Sequence, residues 1–204
     1  MTKKTFLTII ALAIAGIAIL GYYQYQKRAS DLTDVARETI TNKDLALSFR
    51  YPAGERAFSV IESSSPEEKL LKGYVLVPTK EYDEYTKSTE AREGPISISV
   101  LVYQLDEAPE TGTSGEQLDR VTRLQNWAID NNTLTSFKVA KNPPEIVEID
   151  GVKAFHYQAD GLYQQDIYIA SYKRRVYMFA SSYNSELDIT KTSFEELIKS
   201  VAFD

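Results

Sequence analysis

The chain has 204 residues, with 23 basic and 29 acidic side chains for a net charge of −6, a single histidine and no cysteine. The missing thiols exclude a disulfide framework, a thiolate metal site and a lipid anchor carried on a cysteine. The lone imidazole excludes any site built on two. Lys3 and Lys4 are the only charges in the first 25 residues, which leaves 21 basic against 29 acidic side chains, or −8, for the remainder. An acidic surface of that kind is repelled by phosphates, so no nucleic-acid partner is expected.

The N-terminal segment is the most distinctive part of the chain. After Lys3 and Lys4 the run FLTIIALAIAGIAILG carries no charge, and Tyr22, Tyr23, Tyr25, Lys27 and Arg28 close it. As a helix, residues 6–25 would rise roughly 30 Å, about one hydrocarbon core. The tyrosines suit the headgroup level, and the basic pair beyond them suits lipid phosphates. A cleaved secretory signal has similar ingredients. Its small-x-small junctions (Ala11/Ala13, Ala13/Ala15) would, however, lie inside the apolar run and leave hydrophobic residues behind. We therefore read residues 1–28 as an uncleaved membrane anchor, with the following domain on the extracytoplasmic side of the cell membrane. Flanking basic residues are balanced, and long domains translocate largely regardless of charge.

Residues 29–44 (ASDLTDVARETITNKD) are polar with scattered apolar positions and read as a stalk, with one globular domain over residues 45–204. About 160 residues suffice for a single core. Cutting at Asp44 should accordingly release a soluble, monomeric domain.

The domain opens with LALSFRY, where Leu45, Leu47, Phe49 and Tyr51 alternate as a half-buried strand requires, and Pro52 ends the ladder. Further strands are expected at residues 57–62 and 73–77. Residues 79–95 (TKEYDEYTKSTEAREGP) read as a long surface loop, and residues 96–103 (ISISVLVY) as an internal strand.

Leu118, Val121, Leu124, Ala128 and Ile129 recur at helical spacing behind a Ser114/Gln117 capping box, predicting a helix that ends near Asn131. The last third predicts two hairpins. One turns at Asp150-Gly151, a strong two-residue turn signal; the other turns at Lys173-Arg174, between strands apolar on both faces. A closing helix over residues 192–200, capped by Thr192 and Glu195, carries the stripe Phe194, Leu197, Ile198 and Val201. Hairpin-linked strands with two helices free to cover opposite faces make an α+β fold built on an antiparallel sheet.

Several of these segments resemble one family. The tyrosine-proline end of the first strand (Phe49, Tyr51, Pro52), the hairpin Ile149-Asp150-Gly151-Val152, the strand end YMFASS at residues 177–182 and the closing FEELIKSVAF at 194–203 are together similar to PsbP-like domains. This is the family of the extrinsic photosystem II protein and its bacterial relatives. The resemblance covers residues 45–204 and implies an antiparallel sheet between helices, an α/β/α sandwich. It also implies a mostly non-enzymatic, extracytoplasmic protein that assists membrane complexes. A transmembrane anchor departs from the soluble plant protein, and no photosystem role is carried over.

No catalytic motif is present: neither G-x-S-x-G, nor a P-loop, nor G-x-G-x-x-G occurs. His156 lies in a strand on the face of Val152 and Ala154, opposite Phe155 and Tyr157, and reads as a strand histidine without chemistry. Carboxylates cluster at Glu81, Asp83 and Glu84 and again at Asp106, Glu107 and Glu110, but without the spacing of a calcium loop, so they read as solvated charge. Tyr82, Tyr85, Tyr103 and Trp127 are candidates for an aromatic binding surface, with core packing the stronger reading for Trp127.

We expect no catalytic residue, cofactor or metal. The expected partners are the membrane, through residues 6–25, and another protein. The expected function is a non-catalytic binding or assembly module. The alternatives are a hydrolase of envelope polymers using carboxylates, and a pilin-like subunit, although the pilin processing junction is missing.

Overall fold

A computed structural model of the chain describes residues 35–54, 57–65, 69–90, 93–105, 114–185 and 188–204, with the backbone alone over 114–120. The expected anchor at residues 6–25 lies outside them. Among the described residues, no helix is long and apolar enough to cross a membrane.

Residues Ala36–Asp204 form one compact unit. Its first hairpin pairs β1 (Arg37–Asn42) with β2 (Leu47–Pro52) as a separate two-stranded sheet. β1 corrects the expected stalk: part of residues 29–44 is a strand of the folded unit. Its burial is modest, with five of six positions polar, so period-two patterning could not announce it. Tertiary links hold it instead. Tyr51 donates its hydroxyl to Glu38 at 2.9 Å, Asn42 donates to Tyr74 Oη at 2.9 Å, and Arg37 pairs with Glu196 at 2.9 Å.

The main sheet has seven antiparallel strands: β3 (Phe58–Ser65), β4 (Leu70–Pro78), β5 (Ile98–Gln104), β6 (Glu145–Ile149), β7 (Val152–Asp160), β8 (Gln164–Tyr172) and β9 (Arg175–Tyr183). Their spatial order is β3-β4-β5-β9-β8-β7-β6, so the strand expected to be internal, β5, lies between β4 and β9.

Both late hairpins have two-residue turns, with Ile149 opposite Val152 and Tyr172 opposite Arg175. All four turn residues are left-handed: Asp150 (φ 47°), Gly151 (φ 73°), Lys173 (φ 44°) and Arg174 (φ 62°). That is the backbone the right-handed strand twist favours. At Lys173-Arg174 the strands impose it without a glycine.

The segment expected as a loop at residues 79–95 begins with helix α1 (Thr79–Lys87). Its composition is polar and none of its residues is buried, so the spacing of Tyr82 and Tyr85, three residues apart, was a faint signal of a helix. Helix α2 (Ser114–Asp130) is followed by one turn, α3 (Asn132–Thr135), and a 3₁₀ turn at Phe137–Val139. Leu124 and Ala128 of α2 enter a core with Tyr103, Phe155, Tyr157, Ile167, Ile169 and Met178, whereas Ile129 is exposed.

Helix α4 (Ile189–Ser200) packs on β2 and β9, on the opposite face of the sheet. It starts earlier than expected. Asp188 is its N-cap, accepting from the Thr190 amide, and the Thr192 hydroxyl reaches back to the Asp188 carbonyl in place of the anticipated capping box. An aspartate at this position satisfies an orphan amide as well as the expected threonine would have.

Candidate functional site

Between β7, β8 and α4 lies an open cleft of about 340 Å³, lined by His156, Gln158, Asp166, Tyr168, Lys191, Glu195, Ile198 and Lys199. Its chemistry follows from register. His156 stands opposite Tyr168, and Gln158 opposite Asp166, so His156 and Asp166 are diagonal neighbours on one face of the β7–β8 pair. The imidazole stacks on Tyr168 with ring centroids 4.2 Å apart and planes 18° apart, and Tyr168 in turn meets Phe194 of α4 edge-on at 5.8 Å.

Asp166 is the hub. One carboxylate oxygen accepts from His156 Nε2; the other accepts from Lys191 Nζ at 2.7 Å. Both charges of the latter pair are sunk into the structure, Asp166 being 3% and Lys191 6% exposed. Burial alone would raise the Asp166 carboxyl. The hydrogen bonds from His156 and Lys191 outweigh that and hold it below the ordinary carboxylate range.

Lys191 also lies 3.9 Å from Glu195, one helical turn on, and over the Tyr183 ring at 4.8 Å. Burial, then the Asp166 charge, push the Tyr168 phenol up to about 12, so it is a neutral donor at physiological pH. An ionised carboxylate only accepts, so the neutral imidazole must carry its proton on Nε2. Its Nδ1 is then the remaining nitrogen of a ring that lines the cleft.

The histidine read as lacking chemistry is thus one of three members of a largely buried network, and the other two, Asp166 and Lys191, were missed. Asp166 had left a signal. It occupies the inward register of a strand apolar on both faces, where an unpaired carboxylate would be prohibitively costly. Lys191 lay one residue before the expected helix and left no such signal. Only the register of β7 on β8 and the docking of α4 show that they answer each other.

The other sequence candidates separate. Glu81 and Glu84 line a smaller cleft of about 200 Å³ with Tyr85, Glu93 and Pro95. Burial there, then Asp188 and Glu84, raise the Glu81 carboxyl. Asp83 and Tyr82 lie on α1 outside that lining, and residues 106–110 are outside the described residues. Tyr103 and Trp127 pack on each other at 5.5 Å against the α2-side core, not with Tyr82 and Tyr85 in one surface. No three His, Asp or Glu side chains among the described residues are placed to hold a metal ion.

The fold is that of a PsbP-like domain. The solution structure of cyanobacterial PsbP (CyanoP) from Synechocystis sp. PCC 6803 superposes with a TM-score of 0.52 at 14% sequence identity, covering 83% of this chain and 94% of that one. No family model and no curated protein matches the sequence.

Proposed function

We propose that this chain is a non-catalytic binding or assembly module, held at the cell membrane by a single pass through residues 6–25 and displayed outside the cytoplasm. The observation that carries this reading is the state of the cleft. Its two buried charges are committed to each other, with the Asp166 carboxylate accepting from both His156 Nε2 and Lys191. His156 Nδ1 is left over, and the residues described as lining the cleft include no serine, threonine or cysteine for it to activate. What an open cleft of this kind offers is recognition. The PsbP-like fold, the acidic domain and the uncharged N-terminal run agree with that reading.

The test is photo-crosslinking in the native cell, with the reactive residue at Ile198 inside the cleft or at Leu162 on the far turn of β7–β8. Discrete protein adducts from Ile198 and none from Leu162 are expected. Equal, diffuse labelling from both positions would refute a binding cleft. Protease added to intact spheroplasts should digest the domain if it faces outward.

The Glu81, Glu84 and Glu93 cleft favours a second reading, hydrolysis of an envelope polymer, because a carboxyl raised by burial is a usable general acid. That reading requires turnover of polymer fragments that Glu81→Gln abolishes.

A further inference from the structure

We propose that the His156 cleft is an oxyanion site opened by protonation of its imidazole: it accepts a carboxylate or a sulfate-like anion when the ring is charged and rejects it when the ring is neutral. The proposal rests on the reading of the domain as a binding module and names what the cleft takes.

The ring's chemistry makes the gate. Asp166 engages Nε2, so deprotonation must remove the proton from Nδ1. In the neutral ring Nδ1 presents a lone pair, which repels an anion. In the charged ring it presents an N–H. One protonation therefore converts an acceptor into a donor and adds a full positive charge to the cleft wall.

The surroundings favour an anion over a cation. From β8 the ring faces Asp166 and Tyr168. The carboxylate has both oxygens occupied and is nearly inaccessible, and the phenol can donate. From β7 comes the uncharged Gln158, and from β6 comes Glu145, opposite His156 and exposed to solvent. From α4 come Lys191, Glu195 and Lys199. Lys191 is balanced by Asp166, and the exposed Glu195 leans toward it at 3.9 Å. Lys199 lines the cleft without an ion-pair partner among the described residues. The groups left to meet a ligand are thus the Lys199 ammonium, the Gln158 amide, the Tyr168 hydroxyl and, after protonation, Nδ1–H. All four can donate to oxygen. Lys199, Glu145 and Glu195 are all exposed and screened by water, so the sign of the charge the cleft offers turns on whether the ring is protonated.

Because His156 is the sole histidine, one resonance reports the gate. The full chain, labelled with carbon-13 at histidine Cε1 and held in non-ionic micelles, is titrated between about pH 5 and pH 8, the range in which imidazoles change charge. The titrations use sodium sulfate, the dipeptide acetyl-Glu-Glu-amide, or sodium chloride at equal ionic strength. Sulfate keeps its charge throughout, so any pH dependence belongs to the protein.

Bound oxyanion should raise the apparent pKa of the resonance, and its affinity should fall by up to about tenfold per pH unit between the ligand-free and the ligand-bound value, as one coupled proton requires. Binding by sulfate and dipeptide alike assigns a general oxyanion site, whereas binding by the dipeptide alone assigns a partner protein's acidic side chains. Lys199→Met should weaken either ligand several-fold, and His156→Gln should leave a weak affinity that no longer varies with pH. The proposal is overturned if neither ligand moves the resonance beyond chloride, or if affinity is the same at both ends of the range. Failure here with Ile198 adducts retained removes the oxyanion gate and leaves the binding module standing. Loss of the adducts removes both.

Discussion

Replacing Asp166 with alanine leaves the Lys191 ammonium buried without its carboxylate, and the size of the resulting loss can be worked from the geometry. Removing one partner of a buried pair typically costs about 3–5 kcal/mol, because the remaining charge is stranded rather than because the pair itself is worth that much. Glu195 can swing the last part of its 3.9 Å separation toward Lys191. An exposed i,i+4 pair returns only about 0.5 kcal/mol. The expected net loss is therefore roughly 3 kcal/mol, a large share of the 5–15 kcal/mol typical of a domain.

Urea unfolding of a fragment comprising residues 36–204, followed by the fluorescence of Trp127, the sole tryptophan, measures it. The midpoint should fall by about 1–2 M. Adding Lys191→Met removes the buried charge that Asp166 balanced, so the double variant should be less destabilised than the sum of the singles by about 2 kcal/mol.

The pH dependence has a definite sign. A carboxyl held below its unfolded value contributes stability that is fully present above about pH 4 and is lost as pH falls through the lower folded value. The gap between wild type and Asp166→Ala should thus be complete at neutral pH and shrink in acid. A midpoint unchanged at neutral pH, or strict additivity of the two substitutions, would refute the buried-hub account.

Three further outcomes are expected. A fragment starting at Ala36 should be soluble and cooperatively folded. One starting at Asp44, the boundary the sequence suggested, removes β1 with its links to Tyr51, Tyr74 and Glu196 and should lose protection from proteolysis along β2. Tyr177→Phe deletes a buried hydroxyl that donates to the Leu45 carbonyl at 2.6 Å, and the orphaned acceptor should cost about 1–2 kcal/mol by thermal or urea unfolding. Arg174→Gly relieves a side chain held at φ 62° in the β8–β9 turn. After the added freedom of the unfolded chain is subtracted, it should raise stability by about 0.5 kcal/mol, read as a higher melting temperature.

The elements legible in advance were those whose burial is one-sided or complete. Leu47, Phe49 and Tyr51 alternate because one face of β2 is buried, and the Leu124/Ala128 stripe marks the side of α2 that meets the sheet. The Asp150-Gly151 turn could be located because few dipeptides tolerate two left-handed residues in succession. By contrast, α1 and β1 bury almost nothing of their own. Their polar composition masks them, and they are held by partners elsewhere in the fold, such as Glu196 for Arg37 and the Gly54 carbonyl for the Thr79 hydroxyl.

The candidate site divides along the same line. Two of its ingredients could be located: a lone histidine on a known strand face and an aspartate in an apolar strand, whereas Lys191 lay one residue before the helix expected from the pattern. Local patterning settles which way the two strand side chains point, because it depends on the period of the strand alone. Whether the three meet depends on two things no local pattern carries, the pairing of His156 opposite Tyr168 and the seating of α4 over that face. A buried carboxylate announces that it needs cations; only the packed structure decides that these are His156 and Lys191.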